Sequence, residues 1–164
     1  MTTYTAHPVP PEVLKELRSV DDAGRATVPV TDEEGGAPLR CCLRRSTPGE
    51  TIALVSYAPL RRWAARTGAD PGAYDEQGPV FIHAADCPGP DSGPGREGAG
   101  LPFTNSHRVL RRYSADGRIL GGHLVTEPES FETAVAQAYA DPEVALVHVR
   151  AVEYGCFLYE VRRP

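Results

Sequence analysis

The segment Val144–Val152 reads VALVHVRAV, and it is followed by EYG at 153–155 and CFLYEVR at 156–162. The two outer segments are rich in β-branched and aromatic residues, and the central segment carries a glycine that favours a tight turn. This pattern predicts two strands that pair as an antiparallel hairpin. In the first strand, Val147 and Val149 share one face, which is expected to lie against the core, whereas Thr51–Tyr57 is apolar on both sets of alternating positions, as is typical of a strand buried on both faces.

Strand and turn signals continue outward from this hairpin. A loop between two of the further strands contains Asp116-Gly117, which predicts a second hairpin. The further strands are predicted at Leu39–Arg45, Thr51–Tyr57, Pro79–Ala84, Arg108–Ser114 and Arg118–Val125. A short amphipathic helix is predicted where Pro10-Pro11 precede Val13, Leu14 and Leu17, and further helices at Arg61–Gly68 and Pro128–Ala140. The sequence therefore predicts an α+β fold with a mixed, mostly antiparallel sheet of about seven strands and two or three helices. The path from Arg118 to Val149 is expected to form a parallel crossover.

Composition limits the classes of function. The chain has 164 residues, which predicts a single domain over residues 1–164. Its net charge of -5 argues against nucleic acid as a partner. The longest apolar stretch, Thr51–Leu60, is too short to span a bilayer, and the first eleven residues do not resemble a signal peptide. We therefore expect a cytoplasmic protein without a membrane partner, whose four cysteines are thiols, metal ligands or core residues and not disulfides.

Two histidines and an arginine stand on strands that are otherwise apolar. His83 shares a strand face with Phe81, and His148 shares one with Arg150, because alternate side chains point to the same side. Such groups cost free energy unless a partner satisfies them. That partner is either a bound ligand or, more simply, a backbone carbonyl, a carboxylate or water on an open sheet face. Both interpretations stay open from the sequence.

The cysteines allow a nucleophile or a metal site. Cys156 follows a turn and is the best candidate nucleophile, with His148 across the hairpin as its base, while Cys42 lies among arginines that favour a thiolate. On a strand, Cys41 and Cys42 would point to opposite faces. We expect no metal and no cofactor, because no cofactor motif is present. The alternative is a zinc site formed by His83, Cys87, His148 and Cys156, which requires a bend at Asp86–Pro88.

A third group of residues is suited to holding a ligand. Arg150 and Arg112 have the planar guanidinium that binds carboxylate or phosphate, and Tyr113 and Tyr57 end or border predicted strands. The segment Asp86–Ser106 is rich in glycine and proline and is long enough to be a lid or a binding loop.

The predicted strands also carry a family resemblance. The chain resembles the bacterial DUF1203 family of uncharacterised proteins from about residue 39 to residue 163, and the resemblance implies a shared fold without a chemistry. The polar positions that it places in the shared pattern are His83, Cys87, Arg112, Tyr113, His148, Arg150 and Cys156, together with Glu50 of the Pro-Gly-Glu turn. The segments that carry it are Cys42–Arg44, Pro48–Glu50, Leu54–Tyr57, Gly78–His83, Cys87, Arg112-Tyr113, Asp141-Pro142, Val147–Arg150 and Gly155–Phe157.

These observations lead to one preferred function and two alternatives. The preferred hypothesis is a small-molecule enzyme or binding protein for an anionic ligand, which uses cofactor-independent acid/base chemistry. In it, His83, His148 and Cys156 are catalytic, and Arg150, Arg112, Tyr113 and Tyr57 hold the ligand. The alternatives are a non-enzymatic interaction module, such as a homodimer, and the zinc site.

Overall fold

The computed structural model describes residues 4–90 and 101–164. Within these ranges the chain forms eight strands and three α-helices. In chain order they are β1 (Thr5–His7), α1 (Pro11–Leu17), β2 (Val30–Asp32), β3 (Glu50–Tyr57), α2 (Pro59–Thr67), β4 (Gly78–His83), β5 (Arg108–Ser114), β6 (Ile119–Val125), α3 (Phe131–Ala140), β7 (Val144–Ala151) and β8 (Phe157–Arg162). Single 3₁₀ turns lie at Gly72–Tyr74 and Pro128–Ser130.

The strands form two antiparallel sheets. The larger has the order β1-β8-β7-β5-β6 and the smaller the order β2-β3-β4. This confirms the α+β class and the mostly antiparallel pairing. The expected parallel crossover is changed in one respect: β6 and β7 do run in the same direction, but β5 lies between them and pairs antiparallel with both. The described strands of this sheet therefore contain no hydrogen-bonded parallel pair.

The central strand β7 is buried on both faces, which explains its continuous apolar sequence. Val147 and Val149 pack in one apolar cluster with Val135 of α3. On the opposite face, Leu146 packs with Trp63 of α2. His148 shares the face of Leu146 and is fully buried, so this side of the sheet is not open to solvent.

The segment Leu39–Arg45 is a turn, and the prediction of a strand there was wrong. Its backbone bonds close locally, because the amide of Leu43 donates to the carbonyl of Leu39 and the amide of Leu39 donates to the carbonyl of Arg44. Leu43 has a φ of 57°, which a continuous strand does not allow. The guanidinium of Arg40 also donates to the carbonyl of Phe157 at 2.8 Å, which holds the turn against β8.

The loop after β4 is described only at its two ends. The prediction of a lid at Asp86–Ser106 falls partly outside the described residues, which omit 91–100. At the far end, Leu101 is buried and the Tyr159 hydroxyl donates to the carbonyl of Pro102 at 2.8 Å. This end of the loop is therefore held against β8. None of the helices in residues 4–90 and 101–164 has the length and apolar character needed to cross a membrane.

Candidate metal centre

Three cysteines and one histidine converge where the Leu39–Arg45 turn meets the end of β4. The Sγ atoms of Cys41, Cys42 and Cys87 and one ring nitrogen of His83 all lie within 4.8 Å of one another. The Nδ1 atom of His83 is 3.4 Å from the Sγ of Cys41 and 3.8 Å from the Sγ of Cys42. The two adjacent sulfurs are 4.0 Å apart.

The turn conformation is what places both vicinal cysteines on one side. In an extended strand the side chains of Cys41 and Cys42 would point in opposite directions. The left-handed residue Leu43 reverses the chain immediately after them. Both cysteines are almost fully buried, so the two thiols face the histidine and not the solvent.

Cys87 reaches the cluster because the chain bends after His83. Residues four apart on a straight strand are roughly 13 Å apart, too far to share an ion. The structure bends at Ala84-Ala85, slightly earlier than the Asp86–Pro88 bend that the sequence required. Arg18 of the segment after α1 holds the bend, because it donates to the His83 carbonyl at 3.1 Å and to the Asp86 carboxylate at 3.3 Å.

The outer nitrogen of His83 is held by a carboxylate. Its Nε2 atom lies 3.0 Å from Oε1 of Glu50, the first residue of β3. Glu50 is itself fixed by the guanidinium of Arg44, at 2.6 and 3.0 Å, and by the amide of Thr47 at 2.7 Å. The hydrogen bonds from Arg44 hold the pKa of Glu50 well below its usual value, so the carboxylate is ionised at neutral pH.

The same contacts shift the pKa values of the inner groups. The thiol of Cys41 donates to the sulfur of Cys42, which lowers the pKa of Cys42 and raises that of Cys41. The hydrogen bond with Cys42, supported by Glu50, raises the pKa of His83 to about 9. The amide of His83 also donates to the Cys41 sulfur at 3.2 Å. The site therefore stabilises negative charge on sulfur.

His148 and Cys156 lie outside this cluster. His148 stands in the middle of β7, with its ring edge-on to Tyr113 and Phe157 at centroid distances of 4.8 and 5.0 Å. Its Nε2 atom is 3.6 Å from Glu160, and neither ring nitrogen has a hydrogen-bond partner among the described residues. Burial lowers its pKa, so the ring is neutral. The ligand set of the predicted zinc site is thus divided, with only His83 and Cys87 in the cluster.

Three other predicted residues share a separate cleft. Tyr57, Arg150 and Cys156 line it together, and neither histidine is part of its lining. Tyr113 is instead buried against His148. Arg112 extends over Gly121 of β6, since a Cβ atom at Gly121 would lie 2.6 Å from its Nη2 atom. The structure therefore does not bring the predicted catalytic and binding residues into one pocket.

The sequence did not identify Cys41, Cys42 and Arg44 as parts of one site. A signal was present in the spacing of Arg44 and Glu50 around Thr47-Pro48-Gly49, because a turn there folds the acid back onto the arginine. Adjacent cysteines just before such a turn need not point to opposite sides, as neighbouring side chains of a strand do.

Comparison with known proteins gives one match. The model of the family described as protein of unknown function DUF1203 matches residues 36–163, so the chain belongs to this family. Searches of the curated proteins and of the solved structures gave no significant match. The matched range includes every residue of the Cys/His cluster.

Proposed function

We propose that this DUF1203 protein binds one Zn²⁺ ion, or a similar thiophilic divalent ion, through Cys41, Cys42, Cys87 and Nδ1 of His83. The observation that carries the proposal is the mutual approach of these four ligand atoms to within 4.8 Å. Tetrahedral zinc with Zn–S bonds of about 2.3 Å separates its sulfurs by roughly 3.8 Å. The 4.0 Å between the sulfurs of Cys41 and Cys42 is close to that separation.

The surroundings of His83 support the same proposal. Histidines that bind metals through one nitrogen usually donate the other N–H to a carboxylate, which fixes the ring and its tautomer. Glu50 is in this position at 3.0 Å. With Glu50 ionised, Nε2 keeps its proton, and Nδ1, which faces the sulfurs, gives up its own proton when an ion binds.

The ligand set favours a structural ion. Three thiolates and one imidazole complete a tetrahedral site and leave no position for a substrate. An ion there would link the Leu39–Arg45 turn to the end of β4, two segments more than forty residues apart in sequence. We therefore expect zinc to stabilise the fold, and any substrate of the protein to bind outside the metal site.

The test is metal content in matched cysteine variants. The wild-type protein, purified under reducing conditions and dialysed against a weak chelator, is expected to retain one zinc per chain by plasma mass spectrometry. Cys87→Ser should lose the ion, whereas Cys156→Ser should keep it, because Cys156 is outside the cluster. Glu50→Gln should weaken zinc affinity by about tenfold. Equal zinc contents in the two cysteine variants would rule the site out.

A second candidate is thiol chemistry at the same residues. Cys42, His83 and Glu50 lie in the order of a nucleophile, a base and an orienting acid, with distances of 3.8 and 3.0 Å. This arrangement activates a cysteine if no metal is bound. Rapid alkylation of Cys42 in freshly purified, zinc-free wild-type protein, slowed in His83→Gln, would favour this function over metal binding.

The acid/base function that joins His83, His148 and Arg150 in one pocket stays a prediction. The contacts above give each histidine a different environment, and the cleft beside Arg150 contains neither. Arg150, Tyr57 and Cys156 therefore form a group that is separate from the two histidines.

A further inference from the structure

A cleft opens between the turn that joins β7 to β8 and the edge where β3 meets β4. It has a volume of about 190 Å³. Its floor is made by Tyr57, Val80 and Phe157, all of them buried, and its rim includes Arg150 and Cys156. The cleft contains none of the proposed metal ligands, so it is a second place at which the protein can bind something.

The charges that meet at Glu76, on the wall of the cleft, do not balance, because Arg111 pairs with it from outside the lining. Arg150 and Arg111 both form ion pairs with the same oxygen, Oε1 of Glu76, and the Arg150 pair measures 2.9 Å. Two guanidinium groups thus share one carboxylate. Within the described part of the chain, Arg40 also has no carboxylate partner, although it is buried and interacts electrostatically with Cys156 on the rim.

Arg150 keeps hydrogen-bonding capacity at the cleft. Its Nε atom donates to the carbonyl of Gly155 at 3.0 Å, and its Nη1 atom faces Glu76. No residue in 4–90 or 101–164 accepts a hydrogen bond from its Nη2 atom. Since the side chain is already fixed by Gly155, little rotamer entropy is lost when a ligand uses the remaining donor.

The apolar floor narrows the class of ligand. Tyr57, Val80 and Phe157 are each at most 5% exposed, so they offer a ligand only a small apolar contact, and an apolar body gains most of its contact from exposed side chains at the mouth. Tyr154, on the turn between β7 and β8, lines the mouth of the cleft with 89% of its surface exposed. Because its ring is so exposed, Tyr154 gains apolar contact when a flat molecule lies beneath it.

We propose that this cleft binds a small organic carboxylate, with its carboxylate on Arg150 and its apolar body on the floor formed by Tyr57, Val80 and Phe157. The surplus of one positive charge among Arg111, Arg150 and Glu76 matches a monovalent anion. The remaining Nη2 donor of Arg150 suits one charge-assisted hydrogen bond to a carboxylate oxygen. The proposal is independent of the metal site.

The experiment titrates benzoate into the full-length protein and follows the amide resonances of residues 150–157 by NMR. Arg150→Met is expected to weaken benzoate binding by roughly tenfold or more, because the charge-assisted contact is lost. Glu76→Gln should strengthen binding several-fold, since it removes the competing carboxylate. Arg118→Met is the matched control: it removes one positive charge from an exposed position on the hairpin of β5 and β6 and should leave binding unchanged.

Inorganic phosphate separates an organic-anion site from a general anion site. Phosphate should bind several-fold more weakly than benzoate if the apolar floor contributes as proposed. Equal binding of the two anions, no benzoate shifts, or an effect of Arg118→Met as large as that of Arg150→Met would each overturn the proposal.

A measurement in the wild-type protein does not depend on whether Arg150→Met folds. Benzoate should slow the alkylation of Cys156 in the wild-type protein, as followed by mass spectrometry of its peptide, whereas benzamide, which has the same ring without the charge, should not. Tyr154→Ala changes a side chain at the surface and should reduce this protection several-fold. If benzamide protects Cys156 as well as benzoate does, or if neither protects it, the cleft is not a carboxylate site.

Discussion

Each of the two histidines on strands has a glutamate beside it, but their environments are opposite. His83 stands at the end of β4, where its ring nitrogens face Cys41, Cys42 and Glu50. His148 stands in the middle of β7, and neither nitrogen has a hydrogen-bond partner among the described residues. The pKa of His83 is raised and that of His148 is lowered.

The difference follows from position in the strand. At a strand end the chain can bend and bring loop residues such as Cys87 to the side chain, whereas in the middle of a central strand every neighbour is another strand or a packed ring. His83 is therefore surrounded by groups that bind ions, and His148 serves as a filler between Tyr113 and Phe157. A polar residue on an apolar strand is a stronger functional signal near the end of the strand.

The largest effect is expected from metal removal, which tests whether His83 and its neighbours hold an ion. At a free zinc concentration about a thousand times the dissociation constant, the ion contributes about 4 kcal/mol to the stability of the fold. Chelation should therefore lower the melting temperature of the wild-type protein by roughly 10 °C in scanning calorimetry. Cys156→Ser should show the same drop. Cys87→Ser should melt low with or without chelator, and a chelator-sensitive Cys87→Ser protein would contradict the account.

Truncation of His148 is expected to come next in size. His148→Ala leaves a cavity between Tyr113 and Phe157 and should cost about 3 kcal/mol in urea unfolding. His148→Phe fills the same space without burying unpartnered nitrogens, and should stay within about 1 kcal/mol of the wild type. Zinc content should be unchanged in both variants. A folded His148→Phe protein that is as unstable as His148→Ala would show that the ring nitrogens have a role that the contacts do not reveal.

The pH dependence of stability should have opposite signs for the two histidines in metal-free protein. The folded pKa of His83 is about 9, above the unfolded value of about 6.5, so its contribution is full below pH 6.5 and is lost between 6.5 and 9. The folded pKa of His148 is depressed, so the unfolded state takes up the proton first and stability falls as the pH drops below 6.5. Urea midpoints measured across pH 5–9 should lose the alkaline slope in His83→Gln and the acidic slope in His148→Phe. Swapped slopes would reverse the assignment.

The smallest effect is expected at Arg112, which the sequence placed among the ligand-binding residues. Its side chain extends over Gly121 and has no ion pair or hydrogen bond within the described residues. Arg112→Gln should change the stability by less than about 0.5 kcal/mol and leave both zinc content and benzoate binding unaffected. A clear loss of either property would place Arg112 in a site after all.

Strand periodicity was sufficient to predict most of the fold. The hairpin of β7 and β8, the hairpin of β5 and β6, and α3 all follow from alternation, turn residues and helical spacing. The division of the strands into two sheets could not be predicted, because the pattern of a strand does not say which strands it pairs with. His148 was compatible with an open sheet face because it shares that face with the charged Arg150, and the structure buries it.

The cluster was less predictable than the fold because it depends on a departure from strand geometry. The alternation of side chains along a strand would place Cys41 and Cys42 on opposite faces. The positive φ of Leu43 shows that the chain turns here, so the alternation does not apply. The pair His83 and Cys87 was anticipated together with the need for a bend, since their spacing is typical of zinc ligands. The other two predicted ligands, His148 and Cys156, are on the hairpin of β7 and β8. Their positions in the sequence do not imply that they lie near His83, and the structure places them outside the cluster.

In the proposed function, His83 is a metal ligand held by Glu50, in contrast to the buried, unliganded His148. Zinc K-edge X-ray absorption of the purified protein measures this ligation directly. We expect three sulfur neighbours at about 2.3 Å and one nitrogen at about 2.0–2.1 Å, with the nitrogen shell lost in His83→Gln. A spectrum with only oxygen and nitrogen neighbours, or one that His83→Gln leaves unchanged, would contradict it.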